Sequence, residues 1–196
     1  FQITEDGIPI RPAGFCNVNN LFEISANLAS QVEVIKGLSS AMFGGNSLHG
    51  LINIKSLEPK DANDIYFQID KNESLRSRVL LRNSSNTLLG VELDRDKGFR
   101  NQTGFDQQKM VIKNYGSFRD WSLQTLINFT NLNQETAGYI DSYFHPTRII
   151  NVNPEAYRDA KSLRIKTEIS KNLDALDISL IPYIRFSSMN FIQHYL

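Results

Sequence analysis

From residue 64 onward, apolar and polar positions alternate with a period of two, the repeat of extended strands whose side chains point to opposite faces. Segment 121–130 is the clearest case. Trp121, Leu123, Thr125, Ile127 and Phe129 share one face, and Ser122, Gln124, Leu126, Asn128 and Thr130 share the other. In 163–170, Leu163, Ile165 and Ile169 oppose Arg164, Lys166 and Glu168. In 176–186, Leu176, Ile178, Leu180, Ile184 and Phe186 oppose Asp177, Ser179, Tyr183 and Arg185. Further strands are predicted at 65–69, 76–82, 87–93 and 108–115, making seven. In 76–82, Val79 and Leu81 oppose Arg76, Arg78 and Arg82.

The connections carry a second pattern. After the first hairpin, long and short links alternate: 83–86, 116–119 and 171–174 are short, whereas 94–107 and 131–160 are long. An up-and-down meander with tight turns at one end and long loops at the other has this form, as membrane barrels do. A soluble β-sandwich also alternates. Two features favour the barrel. The polar face carries many full charges, and a loop of about thirty residues is long for a compact domain. Seven strands do not close a barrel of even strand number, so part of a barrel is expected.

Before residue 57 the pattern changes. Segment 3–10 reads as two strand ends around the Asp6-Gly7 turn. Val32, Val34 and Ile35 form one apolar strand, and Leu51, Ile52 and Ile54 form a second that could pair with it. Between them lie Gly37 and Gly44, with a short helical turn predicted at Ser39, Ser40 and Ala41. Segment 57–63, with Pro59 and several charges, reads as a linker.

Composition narrows the function classes. The chain of 196 residues holds 21 basic and 21 acidic side chains, so no basic surplus points to nucleic acid. Cys16 is the single cysteine and cannot form an internal disulfide. No run of about 18 apolar residues offers a membrane helix, but a spanning strand needs only about 9–11 residues, half of them apolar. Gly44-Gly45-Asn46-Ser47 lacks the lysine of a phosphate loop. His49 has no second His or Cys at metal spacing, so no metal, cofactor or catalytic constellation is expected. The chain starts at Phe1 without a leader-like stretch and ends in a strand-like segment, so truncation at both ends is expected.

Three linked motifs now become specific: the Asp6-Gly7 strand turn, Val32-Glu33-Val34-Ile35-Lys36-Gly37 followed by Ser39-Ser40-Ala41-Met42-Phe43-Gly44, and Gly50-Leu51-Ile52-Asn53-Ile54. In order and spacing they resemble the later half of the plug of TonB-dependent outer-membrane receptors. The family usually has proline where Leu38 stands. Segment 96–101 is similar to a Gly-aromatic-Arg stretch of the family's early barrel, and 133–139 to its third external loop.

The resemblance implies a plug α+β segment at 1–56, a linker at 57–63, and antiparallel transmembrane β-barrel strands at 64–196. It implies a Gram-negative outer-membrane receptor, not an enzyme, taking up a scarce ligand such as a ferric siderophore. A TonB-type periplasmic protein would move the plug, through a contact segment expected upstream of Phe1. The other partners are outer-membrane lipid and the small-molecule ligand. The long loops 94–107 and 131–160 would be external. Ligand contacts are expected at Arg11, Phe15, Asn17 and Asn19 in the plug loop, and at Tyr139, Tyr143, Phe144, His145 and Arg148 in the long loop. Arg76, Arg78, Arg82, Arg164, Lys166 and Arg185 would face inward to meet the plug, with Glu33 and Lys36 as candidate partners. A structural or adhesive β-domain is the alternative that the alternation alone allows.

Overall fold

The computed structural model describes residues 2–10, 22–37, 43–44, 47–59, 63–70, 73–84, 86–137 and 150–192. The chain divides into two compact units, 1–61 and 62–196.

The first unit is built on a four-stranded sheet. Its strands are β1 (Gln2–Glu5), β2 (Ile8–Pro9), β3 (Ala29–Lys36) and β4 (Gly50–Ser56), in the order β2-β1-β4-β3. β1 and β2 form a hairpin through Asp6 and Gly7, both at positive φ (45° and 80°). Asp tolerates that region and Gly adopts it freely, which is why this dipeptide makes the turn. β1 runs parallel to β4, and β3 runs antiparallel to it. The pairing of 32–35 with 51–54 agrees with the sequence reading. Gly50 lies at φ +125°, and a Cβ there would stand 2.7 Å from the Ile35 carbonyl oxygen, so the β3–β4 pair closes only over glycine. Ile3, Ile10 and Ile54 form the buried core, flanked by Ile24, Ala29 and Ile52. Of the helical turn expected in the 39–44 segment, Phe43 is described as helical, and 39–42 lie outside the described residues.

The second unit is one antiparallel sheet. It comprises β5 (Asp64–Ile69), β6 (Leu75–Arg82), β7 (Thr87–Asp96), β8 (Phe105–Phe118), β9 (Trp121–Glu135), β10 (Tyr157–Leu173), β11 (Leu176–Leu180) and β12 (Tyr183–Ile192). Each strand pairs with the next through β10. β11 and β12 then both pair with β10, with Leu180 opposite Ile169 and Tyr183 opposite Lys166. They are one strand position in continuous register, interrupted at Ile181 and Pro182, so the sheet has the seven positions that alternation predicts. Proline has no N–H for the ladder and is tolerated on an outer strand. The predicted strand 176–186 therefore runs on to Ile192 with a break.

Two expected loops are shorter than the sequence reading made them. Positions 94–96 and 105–107 belong to β7 and β8, and 131–135 and 157–160 belong to β9 and β10. The connections are 97–104 and 136–156. At these strand ends the outer positions Asn131, Asn133 and Asp159 are polar, while Leu132 and Ala160 pair on the inner face, so the apolar-outside alternation of the preceding residues does not continue.

Burial across this sheet is the reverse of a soluble sandwich. Lys109, Lys113, Asn128, Thr130, Ser162, Arg164 and Lys166 are buried, whereas Ile65, Phe67, Leu81, Phe129, Leu180 and Phe186 are exposed. The apolar face is the outer one. Across it, Ile65, Val79, Val91, Met110, Phe129, Leu163 and Phe186 stand opposite one another in successive strands. The next row is Leu81, Leu89, Ile112, Ile127, Ile165 and Ile184. On β10 the outer face holds Leu163, Ile165, Thr167 and Ile169 before the cation Lys171. From Leu163 to Ile169 that is about 20 Å along the strand at ~3.3 Å per residue. No helix among the described residues is long and apolar enough to cross a membrane, and this has no bearing on crossing by strands.

Candidate functional site

The polar face of the large sheet is a charged wall assembled by register. Odd-even parity puts Arg76, Arg78 and Arg82 on the same face as Arg164, Lys166 and Arg185, all six of the cations the sequence singles out. One row reads Arg78, Glu92, Lys109, Thr130 and Ser162, so charge alternates across three strands. Arg76 stands opposite Asp94. Opposite charges on facing positions stabilise a sheet modestly. Arg78 also donates to Asp64 Oδ2 from Nη2 at 2.6 Å and from Nε at 3.1 Å. Lys166 lies 3.8 Å from Glu168. The row that holds Arg164 is different: it faces Asn128 on one side and Arg185 on the other, so two like charges are directly opposed. Lys109 and Lys113 belong to this wall, although the sequence reading omitted them. Their signal was present, since they alternate with Met110 and Ile112 in β8.

The plug-like sheet holds a second polar cluster, centred on Asn53. Its Oδ1 accepts from the Thr4 hydroxyl (2.9 Å) and the Gly7 N–H (3.0 Å), and its Nδ2 donates to Glu33 Oε2 (2.9 Å). One buried side chain thus ties β4 to β1, to the turn and to β3. The Asp6 carboxylate accepts from the Ser56 N–H (3.1 Å) and hydroxyl (2.5 Å), which fastens the same turn to the end of β4. Glu33, expected as a partner for barrel cations, is held within its own sheet, with Lys55 Nζ 3.7 Å away as well. Lys36 sits at the end of β3, opposite Gly50. Gly37 and Gly44 both have positive φ, and the Gly44 carbonyl accepts from the Ser47 N–H (3.1 Å) and hydroxyl (2.6 Å). Sequence reasoning missed Ser56, because nothing local links it to residue 6.

The ends of the large sheet differ. At the tight-turn end, Phe118, Trp121 and Lys171 share the outer face. Lys171 lies over the Trp121 ring at 5.7 Å and Arg119 over the Phe118 ring at 5.3 Å. Aromatics with cations at the rim of an apolar band mark a bilayer interface. At the other end, buried Asn151 donates to the carbonyls of Gln102 (2.7 Å) and Thr136 (3.3 Å), joining the two long connections at their base. The Gly104 N–H donates to Glu135 Oε2 (3.1 Å) in the same region. The ligand contacts expected at Arg11, Phe15, Asn17, Asn19, Tyr139, Tyr143, Phe144, His145 and Arg148 lie outside the described residues, as do Ser39, Ser40 and Cys16. Among the described residues, no three His, Cys, Asp or Glu side chains group as a metal site.

A mixed four-stranded sheet is thus followed along the chain by an antiparallel sheet with one apolar and one charged face. Residues 1–51 match the family model described as TonB-dependent Receptor Plug Domain. Over 97% of the chain the fold is similar to that of solved receptors and transporters for iron chelates. The siderophore receptor PiuA from Acinetobacter baumannii aligns with TM-score 0.74 at 13% identity, over 29% of its own length. The ferric citrate transporter FecA aligns with TM-score 0.73 at 12% identity, over 31% of its length. The ferric-catecholate import receptor Fiu from E. coli aligns with TM-score 0.74 at 16% identity, over 30% of its length. This chain thus spans about three tenths of the receptors it resembles. No curated protein sequence matches it.

Proposed function

We propose that this chain is part of an outer-membrane receptor of a Gram-negative bacterium that takes up a scarce ligand, with a ferric siderophore or similar chelate as its class. The carrying observation is the reversed burial of the large sheet, apolar outside and charged inside, joined to a plug-like sheet. Residues 1–56 form the later part of the plug, 57–63 the linker, and 64–196 the first barrel strands. The tight turns face the periplasm, and the connections 97–104 and 136–156 face outward. A TonB-type protein in the periplasm drives plug movement, and no covalent chemistry is involved.

The wall cations Arg76, Arg78, Arg82, Arg164, Lys166 and Arg185 line the hydrated interior of the barrel. A charged, hydrated surface releases a mobile partner at lower cost than an apolar one, because exposed pairs contribute little. An anionic chelate is the ligand such a wall favours. The external connections, with Tyr139, Tyr143, His145 and Arg148, and the plug loop with Arg11, Phe15, Asn17 and Asn19, supply the ligand contacts.

Deleting the gene and scoring uptake over a panel of labelled iron chelates tests the reading. Loss of uptake of one chelate, restored by complementation, is expected. Unchanged uptake across the panel sinks it. A structural or adhesive domain would instead be recovered soluble and monomeric without detergent.

A further inference from the structure

Residues 150–152 are buried in the reverse of their polarity. Ile150 and Val152 are 46% and 52% exposed, whereas Asn151 between them is 7% exposed. A segment packed for apolar burial would turn Ile150 and Val152 inward. Here the amide is inward instead, and a buried amide is costly unless its polar atoms are matched. Its Oδ1 accepts from the Asn153 N–H (3.0 Å), a local turn. Its Nδ2 donates to the Gln102 carbonyl (2.7 Å) and the Thr136 carbonyl (3.3 Å), partners 49 and 15 residues away. One side chain thus ties connection 97–104 to both ends of what the sheet describes of 136–156.

The segment it holds is already ordered within itself. Gln102 lies in the left-handed region, at φ 54°. Thr103 Oγ1 donates to the Arg100 carbonyl (2.8 Å) and accepts from the Arg100 N–H (3.1 Å). The Gly98 N–H donates to Asp96 Oδ1 (2.6 Å). The same carboxylate accepts from the Ser74 hydroxyl, and Lys97 pairs with Glu73, so the turn after β5 is fastened to it as well. At the feet of the two connections, the Glu135 N–H donates to the Gly104 carbonyl (2.8 Å) and the Thr136 N–H to the Ala156 carbonyl (2.9 Å). Asn151 reaches past these feet to the body of 97–104, which presents Phe99 at 69% exposure.

We propose that Asn151 is a positioning residue for ligand capture. It fixes connection 97–104 against 136–156, so that an iron chelate meets both in one arrangement. It acts through the backbone at Gln102 and Thr136, with its own amide turned away from solvent. Two connections moving independently would hold that arrangement for a fraction of the time, and the apparent affinity would fall by the same fraction. The inference rests on the receptor reading above, in which these connections face outward and contact the ligand.

The test uses the full-length protein, expressed in a strain lacking its own copy. Uptake of radioiron is followed with ferric citrate, a ferric tris-catecholate and a ferric trihydroxamate, and the chelate that the unaltered protein transports is used for the variants. Asn151→Asp keeps the acceptor for the Asn153 N–H but has no N–H to donate, whereas Asn151→Ala loses both functions. Both should raise KM about tenfold at unchanged Vmax, the scale on which losing two hydrogen bonds depopulates the competent arrangement. In the purified protein, amide exchange should quicken across 97–104 in both variants and stay unchanged within β8–β10. A KM raised by Asn151→Ala alone would confine the residue to its local turn and overturn the inference. Unchanged exchange across 97–104, or a lowered Vmax at unchanged KM, overturns it too. An unaltered protein that transports none of the chelates overturns the uptake reading itself, while the exchange measurement still reports on the link between the connections.

Discussion

Asn53 shows how a single side chain can hold a small sheet together. It is 2% exposed and has hydrogen bonds to three other chain segments. Replacing it with alanine leaves the Thr4 hydroxyl, the Gly7 N–H and the Glu33 carboxylate without that partner, in a place where water enters poorly. A buried polar group left unmatched costs about 1–3 kcal/mol. Asn53→Ala is therefore expected to destabilise the sheet by about 2 kcal/mol, read as faster amide exchange in β1 and β3, with β8–β10 unchanged. Uniform acceleration across both units would contradict it. The sequence marked Asn53 only as part of a motif. Its role needed β1 and β4 to be parallel neighbours, a pairing between residues some fifty positions apart that no local pattern encodes. Gly50 was more legible, since a glycine opening a strand suggests a close approach, and the Ile35 carbonyl is what approaches.

At the scale of elements, strand faces were legible and strand ends were not. Alternation assigned the faces of 121–130, 163–170 and 176–186 as the register confirms. It lost β9 after Thr130 because Asn131 and Asn133 leave the outer face polar while the apolar Leu132 falls on the inner face, against the alternation that precedes it. The same difference predicts how depth governs substitution. Ile165→Arg, inside the outer band, is expected to cost about 2–4 kcal/mol in bilayer folding, whereas Asn133→Arg, beyond the band, should cost about 0–1 kcal/mol. Urea titration of the protein folded into vesicles measures both, and equal costs would argue against the band. Pro182 supplies a second test. The Thr167 N–H donates to the Pro182 carbonyl at 3.1 Å, but proline returns no hydrogen bond. Pro182→Val should merge β11 and β12 into one strand and slow amide exchange at 181–184. Exchange left as fast as before would mean that the break has another cause.

For the whole molecule the informative feature is the inner wall. Its charges alternate over β6–β8, but Arg164 and Arg185 oppose one another directly across β10 and β12. Like charges on facing positions are destabilising by a fraction of a kcal/mol, so this pairing by itself does not stabilise the sheet. Arg185→Glu turns the pair into an ion pair. Folding should be unchanged or firmer by up to about 1 kcal/mol, while uptake of an anionic iron chelate should fall several-fold. The measurement is labelled-iron accumulation in cells expressing equal amounts of surface protein. Uptake that stays at the original level would remove these two residues from the ligand's path.

By itself, the sequence determined the period of two, the two faces of each strand, the tight turns, the change of character near residue 57 and the plug-like motif. Each follows from local chemistry: strand geometry, turn conformation and short-range spacing. Only the tertiary structure decided which face is the inner one, because alternation is symmetric and a sandwich would bury the apolar side. It also decided where the strands stop, since backbone hydrogen bonding continues where side-chain contrast ends. The row that sets Arg164 against Arg185 and the hub at Asn53 belong to it as well. They depend on register between distant segments, and register is a property of the paired strands together.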